Sequence, residues 1–460
     1  MRFRKRQRTL RDYFLADRSV PWWAIALSIV AAETSTLTVI SIPGLAYDKD
    51  FGFLQVVLGY LAGRVVISLI FIPQYFRGEL FTAYQLIDRR FGPVLHKFTA
   101  GLFLATRAAA EGVRVFAVSI VVGIAIGTGD VWSIAIILLL TFVYTLEGGM
   151  AAVIWTDVVQ MAIYLCGTLV GVYTILHLVP GGWQTVVETA GAAGKFQVFD
   201  FRWTMATPYT FWAGLIGGTF LTTASHGTDQ LIVQRLLSAR SERDSRTALI
   251  SSGVFVLVQF ALFLLVGAML FVFYRLFPPL VAFERSDRIF PTFVVTQMPH
   301  VISGLLIAAI LAAAMSNLSA ALNSLSSSTI VDFYLRLRPH VDERRRMVVS
   351  RVATVFWALV LFALAMLSRR GGRVVEVGLS IASVAYGALL GVFLLGVLTK
   401  RANERGAIAG MACGFATSLY VWLATKVPWT WYVVIGSVVT FGVGYIASLV
   451  MGEEKRSELG

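Results

Sequence analysis

Six ionisable residues, Glu33, Arg64, Arg107, Glu111, Arg114 and Asp157, stand inside long apolar stretches of this 460-residue chain. A charge at the centre of a bilayer costs at least about 2.5 to 3.5 kcal/mol, so each calls for a partner or a task. Arg107, Glu111 and Arg114 follow one another at helical spacing and share a face, where Glu111 is within reach of both arginines. Two readings are open for this trio. Either it is an internal ladder that holds helices together, or one guanidinium is left to meet a substrate carboxylate, which its planar fork matches.

A second pattern concerns oxygen. The eighth apolar stretch runs Ala312-Ala-Ala-Met-Ser-Asn-Leu-Ser-Ala-Ala-Leu-Asn-Ser324, with small and hydroxyl residues three and four apart. That spacing lets helices approach closely, which is one sufficient explanation. Another is ion binding: sodium is a hard cation, held by hydroxyls together with backbone carbonyls freed at a helix break. Such a break is expected in the first stretch, which contains Ala31-Ala-Glu-Thr-Ser-Thr36 and then Pro43-Gly44. A second is expected in the sixth, with Gly217-Gly218 and Thr222-Thr-Ala-Ser-His-Gly-Thr-Asp229. Polar, glycine-rich backbone at membrane depth survives where it lines a cavity or is buried in protein. Paired interruptions at corresponding places in two halves point to the central site of a transporter.

The elements that must position these residues follow from composition. Hydrophobic residues make up 57% of the chain and charged ones 14%, too few to build an aqueous surface. Apolar stretches of spanning length recur from end to end, about twelve of them, the first at Trp22–Tyr47 and the last at Trp429–Met451. In hydrocarbon the backbone must satisfy itself, so these are helices and the fold is all-α and polytopic. The apolar run after the basic start is too long for a cleaved signal, and is read as the first span. The net charge of +13 reflects basic loops, not nucleic acid. Arg2 to Arg11, Arg89-Arg90, Arg235 to Arg246, Arg344-Arg345-Arg346 and Lys400-Arg401 fall on one side, with Arg369, Arg370 and Arg373 the exception. This asymmetry predicts both termini in the cytoplasm, and the membrane is expected to be the plasma (bacterial inner) membrane.

No catalytic constellation competes, and no cofactor is expected. His96, His177, His226, His300 and His340 are scattered without metal-ligand spacing, and Cys166 and Cys413 lie singly in apolar stretches.

Three motifs in order carry a family resemblance. Tyr144-Thr-Leu-Glu-Gly-Gly-Met-Ala-Ala-Val-Ile-Trp-Thr-Asp-Val-Val-Gln160 resembles the fourth-to-fifth-helix motif of the sodium:solute symporter family. Thr228-Asp-Gln-Leu-Ile-Val-Gln-Arg235 is similar to its sixth-helix motif, and Ala313 to Ser324 with Val331 to Tyr334 to its eighth. The resemblance runs from about Leu10 to the end. It implies a LeuT-type inverted-repeat fold of five plus five helices. Residues 1–21 would then be a basic cytoplasmic segment and 22–178 the first repeat. A loop at 179–207 leads to the second repeat at 208–398, two further helices at 399–451 and a tail at 452–460. Most family members carry a helix before the first core helix, so it is either dispensable here or lies upstream of Met1.

Carried over by position, the resemblance implies sodium ligation by the carbonyls of Ala31, Thr34 and Ala313 and the side chains of Ser316 and Asn317. It implies a coupling role for Asp157. Asn317 stands where the family usually has a second hydroxyl, so sodium geometry there is an open point. Substrate contacts are expected from Glu33, Ser35, Glu111, Arg114, Thr223, His226, Asp229 and Gln230. Leu231 and Glu33 depart from the pattern of sugar-transporting members, which favours an amino acid or organic anion.

The expected activity is therefore sodium-coupled symport of a small polar solute by alternating access. The alternatives are proton coupling through Glu33 and Asp157, a membrane sensor, a channel, or a membrane enzyme. The oligomeric state is left open.

Overall fold

The computed structural model describes residues 18–77, 87, 90–144, 150–279, 281–334, 338, 342–369 and 371–451. The described residues are helical, apart from loops and one isolated bridge between Val20 and Ala239. In chain order the first helices are α1 (Trp22–Glu33), α2 (Thr36–Asp48), α3 (Leu54–Arg77), α4 (Pro93–Ile126), α5 (Asp130–Tyr144), α6 (Met150–Leu178) and α7 (Gly182–Ala192). Next come α8 (Gly218–Gly227), α9 (Gln230–Leu237), α10 (Glu242–Leu276), α11 (Ile289–Gln297), α12 (His300–Ser328) and α13 (Glu343–Ser368). The last three are α14 (Val374–Leu398), α15 (Glu404–Ala424) and α16 (Tyr432–Met451).

Among the described residues nine helices are long and apolar enough to cross a membrane. The pair α1 and α2 makes a tenth as one span bent by 66°. At two further stretches where the sequence predicts a span, the helices are shorter than that length. One is α5, beyond which residues 145–149 of the most specific motif lie outside the described residues. The other is built of a π turn at Ala213–Gly217, then α8, then α9. Two short helices, α7 and α11, occupy connections that the sequence reading left without structure.

Both breaks form for local reasons. At the first, the Thr34 N–H still donates to the Val30 carbonyl at 2.8 Å, the Ser35 N–H is the first to leave the ladder, and the helix resumes at Thr36. At the second, Asp229 adopts an extended backbone and caps α9, its carboxylate accepting from the Leu231 N–H at 2.9 Å. Glycine permits the crossing of α3 with the π turn and α8: a Cβ on Gly59 would lie 2.3 Å from the Gly214 carbonyl oxygen. Without side chains there, backbones meet directly and the second broken span sits against α3.

Candidate functional site at the two helix breaks

A cavity of about 460 Å³ lies between the breaks. Glu33, Ser35, Thr38, Tyr60, Arg107, Arg114, Thr222, Ser225, His226, Asp229, Ser316, Asn317 and Tyr386 contribute to its wall. Its wall is built from α1, α2, α3, α4, α8, α9, α10, α12 and α14.

The first break frees backbone carbonyls, among them those of Ala31 and Thr34. In a continuous helix Ser35 would donate to Ala31, but its N–H turns to the Glu33 carbonyl at 2.9 Å. Likewise the Thr38 N–H, which would serve Thr34, goes to the Ser35 carbonyl at 2.9 Å. The carbonyls of Ala31 and Thr34 thereby lose their helical donors, the condition for ligating an ion. The Thr34 hydroxyl is itself engaged, 2.7 Å from the Val30 carbonyl and 3.0 Å from Gln259 Oε1. Ser316 and Asn317 line the main cavity. Ala313 and Asn317 also line a neighbouring void of about 20 Å³, together with Ser35, Thr36 and Glu111. A void of that size holds about one water-sized particle.

Arg64 and Glu33 solve each other's desolvation. Arg64, on α3, is fully buried and makes a hydrogen-bonded ion pair with the Glu33 carboxylate. Its Nη2 also lies 3.4 Å from His226 Nε2, and the Ser225 hydroxyl lies 2.8 Å from His226 Nδ1.

The expected ladder on α4 is present. Arg107 and Arg114 approach the same Glu111 oxygen, at 3.0 and 2.6 Å. Glu111 is buried, whereas the Arg114 side chain keeps 33% of its exposure and faces the cavity. Across from it, Tyr386 on α14 donates to Asp229 Oδ2 at 3.1 Å.

Not every expected contact lines the cavity. Glu111 reaches only the small void, and Thr223 turns inward, donating to the Thr219 carbonyl at 2.7 Å. The side chain of Gln230 lies outside the described residues. Sequence reasoning missed Gln259 and Tyr386, single polar groups in apolar runs whose partners come from distant parts of the chain. It singled out Arg64 as an intramembrane charge but did not place it at the site.

Charged groups stand at both ends of the cavity. At the Trp22 end, Asp157 accepts from Ser28 at 2.7 Å and from Arg235 at 2.9 Å, joining α6, α1 and α9. At the opposite end, Asp130 pairs with Arg288 at 2.9 Å and with Arg369 at 3.2 Å, and Arg373 pairs with Asp48 at 2.7 Å. Here the loop before α11 folds onto α2, with Asp287 accepting from Ser41 at 2.5 Å and from the Val374 N–H at 3.3 Å.

This arrangement of two interrupted helices around a polar cavity has counterparts among known proteins. The profile of the sodium:solute symporter family matches residues 13–414. The chain belongs to this family. The symporter is 30% identical to the sodium/sialic acid symporter SiaT of Proteus mirabilis, over 99% of this chain and 93% of that one. It is 29% identical to the human sodium/iodide cotransporter, over 92% of this chain and 66% of that one. A substrate-bound, outward-open structure of a Na+-coupled sialic acid symporter superposes with a TM-score of 0.83 at 29% identity, covering 99% of this chain and 95% of the other. The nucleobase-cation symporter Mhp1, at 13% identity, shares the fold, with TM-scores of 0.53 and 0.55 for two states. The symporter moves a small polar solute with sodium, and it is a transporter rather than an enzyme.

Proposed function

We propose that the solute of this symporter is a carboxylate-bearing organic anion, bound in the central cavity with Arg114 as its principal partner. One observation carries this reading: two guanidiniums share a single carboxylate oxygen of Glu111, and Arg114 remains one-third exposed toward the cavity. A guanidinium in a low-dielectric wall is a strong bidentate partner for a carboxylate. Relatives named for sialic acid and for monocarboxylates transport solutes of that chemistry, which supports the assignment. Ser35, His226 and Asp229, with Tyr386, supply hydroxyl, imidazole and carboxylate groups for the polar remainder of the solute.

Sodium binds where the carbonyls of Ala31 and Thr34 lose their helical donors, with the Ala313 carbonyl and the side chains of Ser316 and Asn317 completing an oxygen shell. Asn317 contributes its amide oxygen. The ion joins the first broken span to α12, ordering the segment that presents Ser35 and Glu33. Residues 22–178 and 208–398 act as two inverted repeats of five helices, with 399–451 added, and basic loops set both termini in the cytoplasm of a plasma (bacterial inner) membrane. The pairs at the two ends of the cavity are then the alternating gates. Asp157 stands on the cytoplasmic path by which sodium leaves.

Entry of one sodium at about −100 mV contributes roughly 2.3 kcal/mol. A tenfold sodium gradient adds about 1.4 kcal/mol, so one ion sustains accumulation of roughly 500-fold.

The test is thermal stabilisation of the purified protein across a library of acids, amino acids, sugars and neutral polyols, each in sodium and in potassium. Stabilisation by carboxylates that requires sodium supports the reading. Stabilisation by neutral sugars alone overturns the anion assignment. Equal stabilisation in both salts overturns sodium ligation at this site.

A further inference from the structure

We propose that the guanidinium of Arg64 is a built-in cation for the two helix breaks, occupying in covalent form the role that an exchangeable ion would otherwise fill. Glu33 is the last residue of α1, and His226 the penultimate residue of α8. Each therefore sits at the C-terminal, electronegative end of a helix. A carboxylate at such an end, 13% exposed beside a cavity, is doubly unfavourable without a positive partner. Arg64 supplies that partner from a third helix. Its Nη2 reaches both Glu33 and His226, its Nε donates to Ser252 Oγ on α10 at 3.1 Å, and its Nη1 donates to the Tyr60 carbonyl at 3.2 Å. One fully buried side chain thus ties both breaks to α3 and α10.

The surroundings are shaped to this side chain. Gly253 on α10 leaves space for its stem, since a Cβ there would lie 2.8 Å from Arg64 Cδ. A guanidinium fixed by four contacts cannot leave during the transport cycle as a bound ion does. The Glu33 side of the central site therefore stays neutralised in every state, and ion exchange with solution is confined to the Ala31, Thr34 and Ser316 side. The Arg64 assignment does not depend on which solute is carried.

The experiment measures the rise in Tm on replacing choline with sodium, in solute-free purified protein, for wild type, Arg64→Lys, Arg64→Gln, Glu33→Gln and the double variant Glu33→Gln/Arg64→Gln. With the built-in cation removed, the Glu33 carboxylate recruits sodium, so the sodium-dependent rise in Arg64→Gln is at least twice that of wild type. Arg64→Lys, which keeps the charge, and the double variant, which removes both charges, respond as wild type does. An Arg64→Gln response equal to wild type overturns the proposal, as does an enlarged response in Arg64→Lys. If Arg64→Gln yields no folded protein, the double variant is expected to recover it. Failure of that recovery while Glu33→Gln folds overturns the proposal too.

Discussion

Arg235 and Asp157 meet at 2.9 Å, and the Asp157 oxygen that receives the guanidinium also accepts from Ser28 at 2.7 Å. Arg235 Nε in turn donates to Ser28 at 2.9 Å, so three residues from α9, α6 and α1 close a ring. The ring links the near halves of both broken spans to α6. In this state the Asp157 carboxylate is engaged by protein groups, so any part it takes in ion release begins with the opening of this ring.

Replacing Asp157 tests that coupling. Asp157→Asn leaves Arg235, which is 6% exposed, without its counter-charge. Removing one partner of a buried pair costs about 3 to 5 kcal/mol. Sodium-dependent uptake into proteoliposomes is expected to fall at least about tenfold. The double variant Asp157→Asn/Arg235→Gln is expected to regain much of the lost Tm. Sodium-dependent uptake that survives Asp157→Asn unchanged would remove Asp157 from the coupling path.

Arg114 is tested by the conservative change. Arg114→Lys keeps the charge and loses the planar fork, so the KM for an anionic solute is expected to rise about tenfold, near 1.4 kcal/mol. Initial rates at saturating sodium measure this, and an unchanged KM rules out bidentate recognition at Arg114.

The oxygen shell is probed by sodium titration of uptake. Ser316→Ala and Asn317→Ala are each expected to weaken apparent sodium affinity about tenfold, while Asn317→Ser, which keeps an oxygen, stays within about threefold of wild type. If Asn317→Ala titrates like wild type, the amide oxygen is not a ligand.

The clasp at the opposite end carries a pH signature. Burial holds the Asp287 carboxyl above its ordinary range, against the opposing effects of the Ser41 hydrogen bond, the Arg285 charge and the Val374 N–H. An acid whose pKa is higher folded than unfolded favours the folded state when protonated. Its contribution is complete below the unfolded value and declines as pH rises through the folded one. The Asp287 contribution to Tm, read as the difference between wild type and Asp287→Asn, is therefore expected to fall as pH is raised out of the ordinary carboxylate range toward neutrality. Asp287→Asn, which cannot ionise, should flatten that part of the profile, and an unaltered profile would reject the assignment.

The sequence by itself determined the class of the molecule. Uninterrupted apolar runs impose helices because bilayer backbone has no other donors, and Ala31 to Thr36 and Thr222 to Asp229 contain the places where that rule is suspended, whereas Pro43-Gly44 and Gly217-Gly218, expected to belong to the breaks, stay within helical turns. The Arg107, Glu111 and Arg114 ladder was legible too, because its partners are three and four residues apart on one helix. Only the tertiary structure decided the partners that are far apart in the chain. Glu33 meets Arg64 and His226, Asp157 meets Ser28 and Arg235, and Asp229 meets Tyr386. No local periodicity encodes such pairs. They follow from how glycine-lined crossings such as that of Gly59 with Gly214 bring helices together, and a buried charge takes the partner that packing delivers.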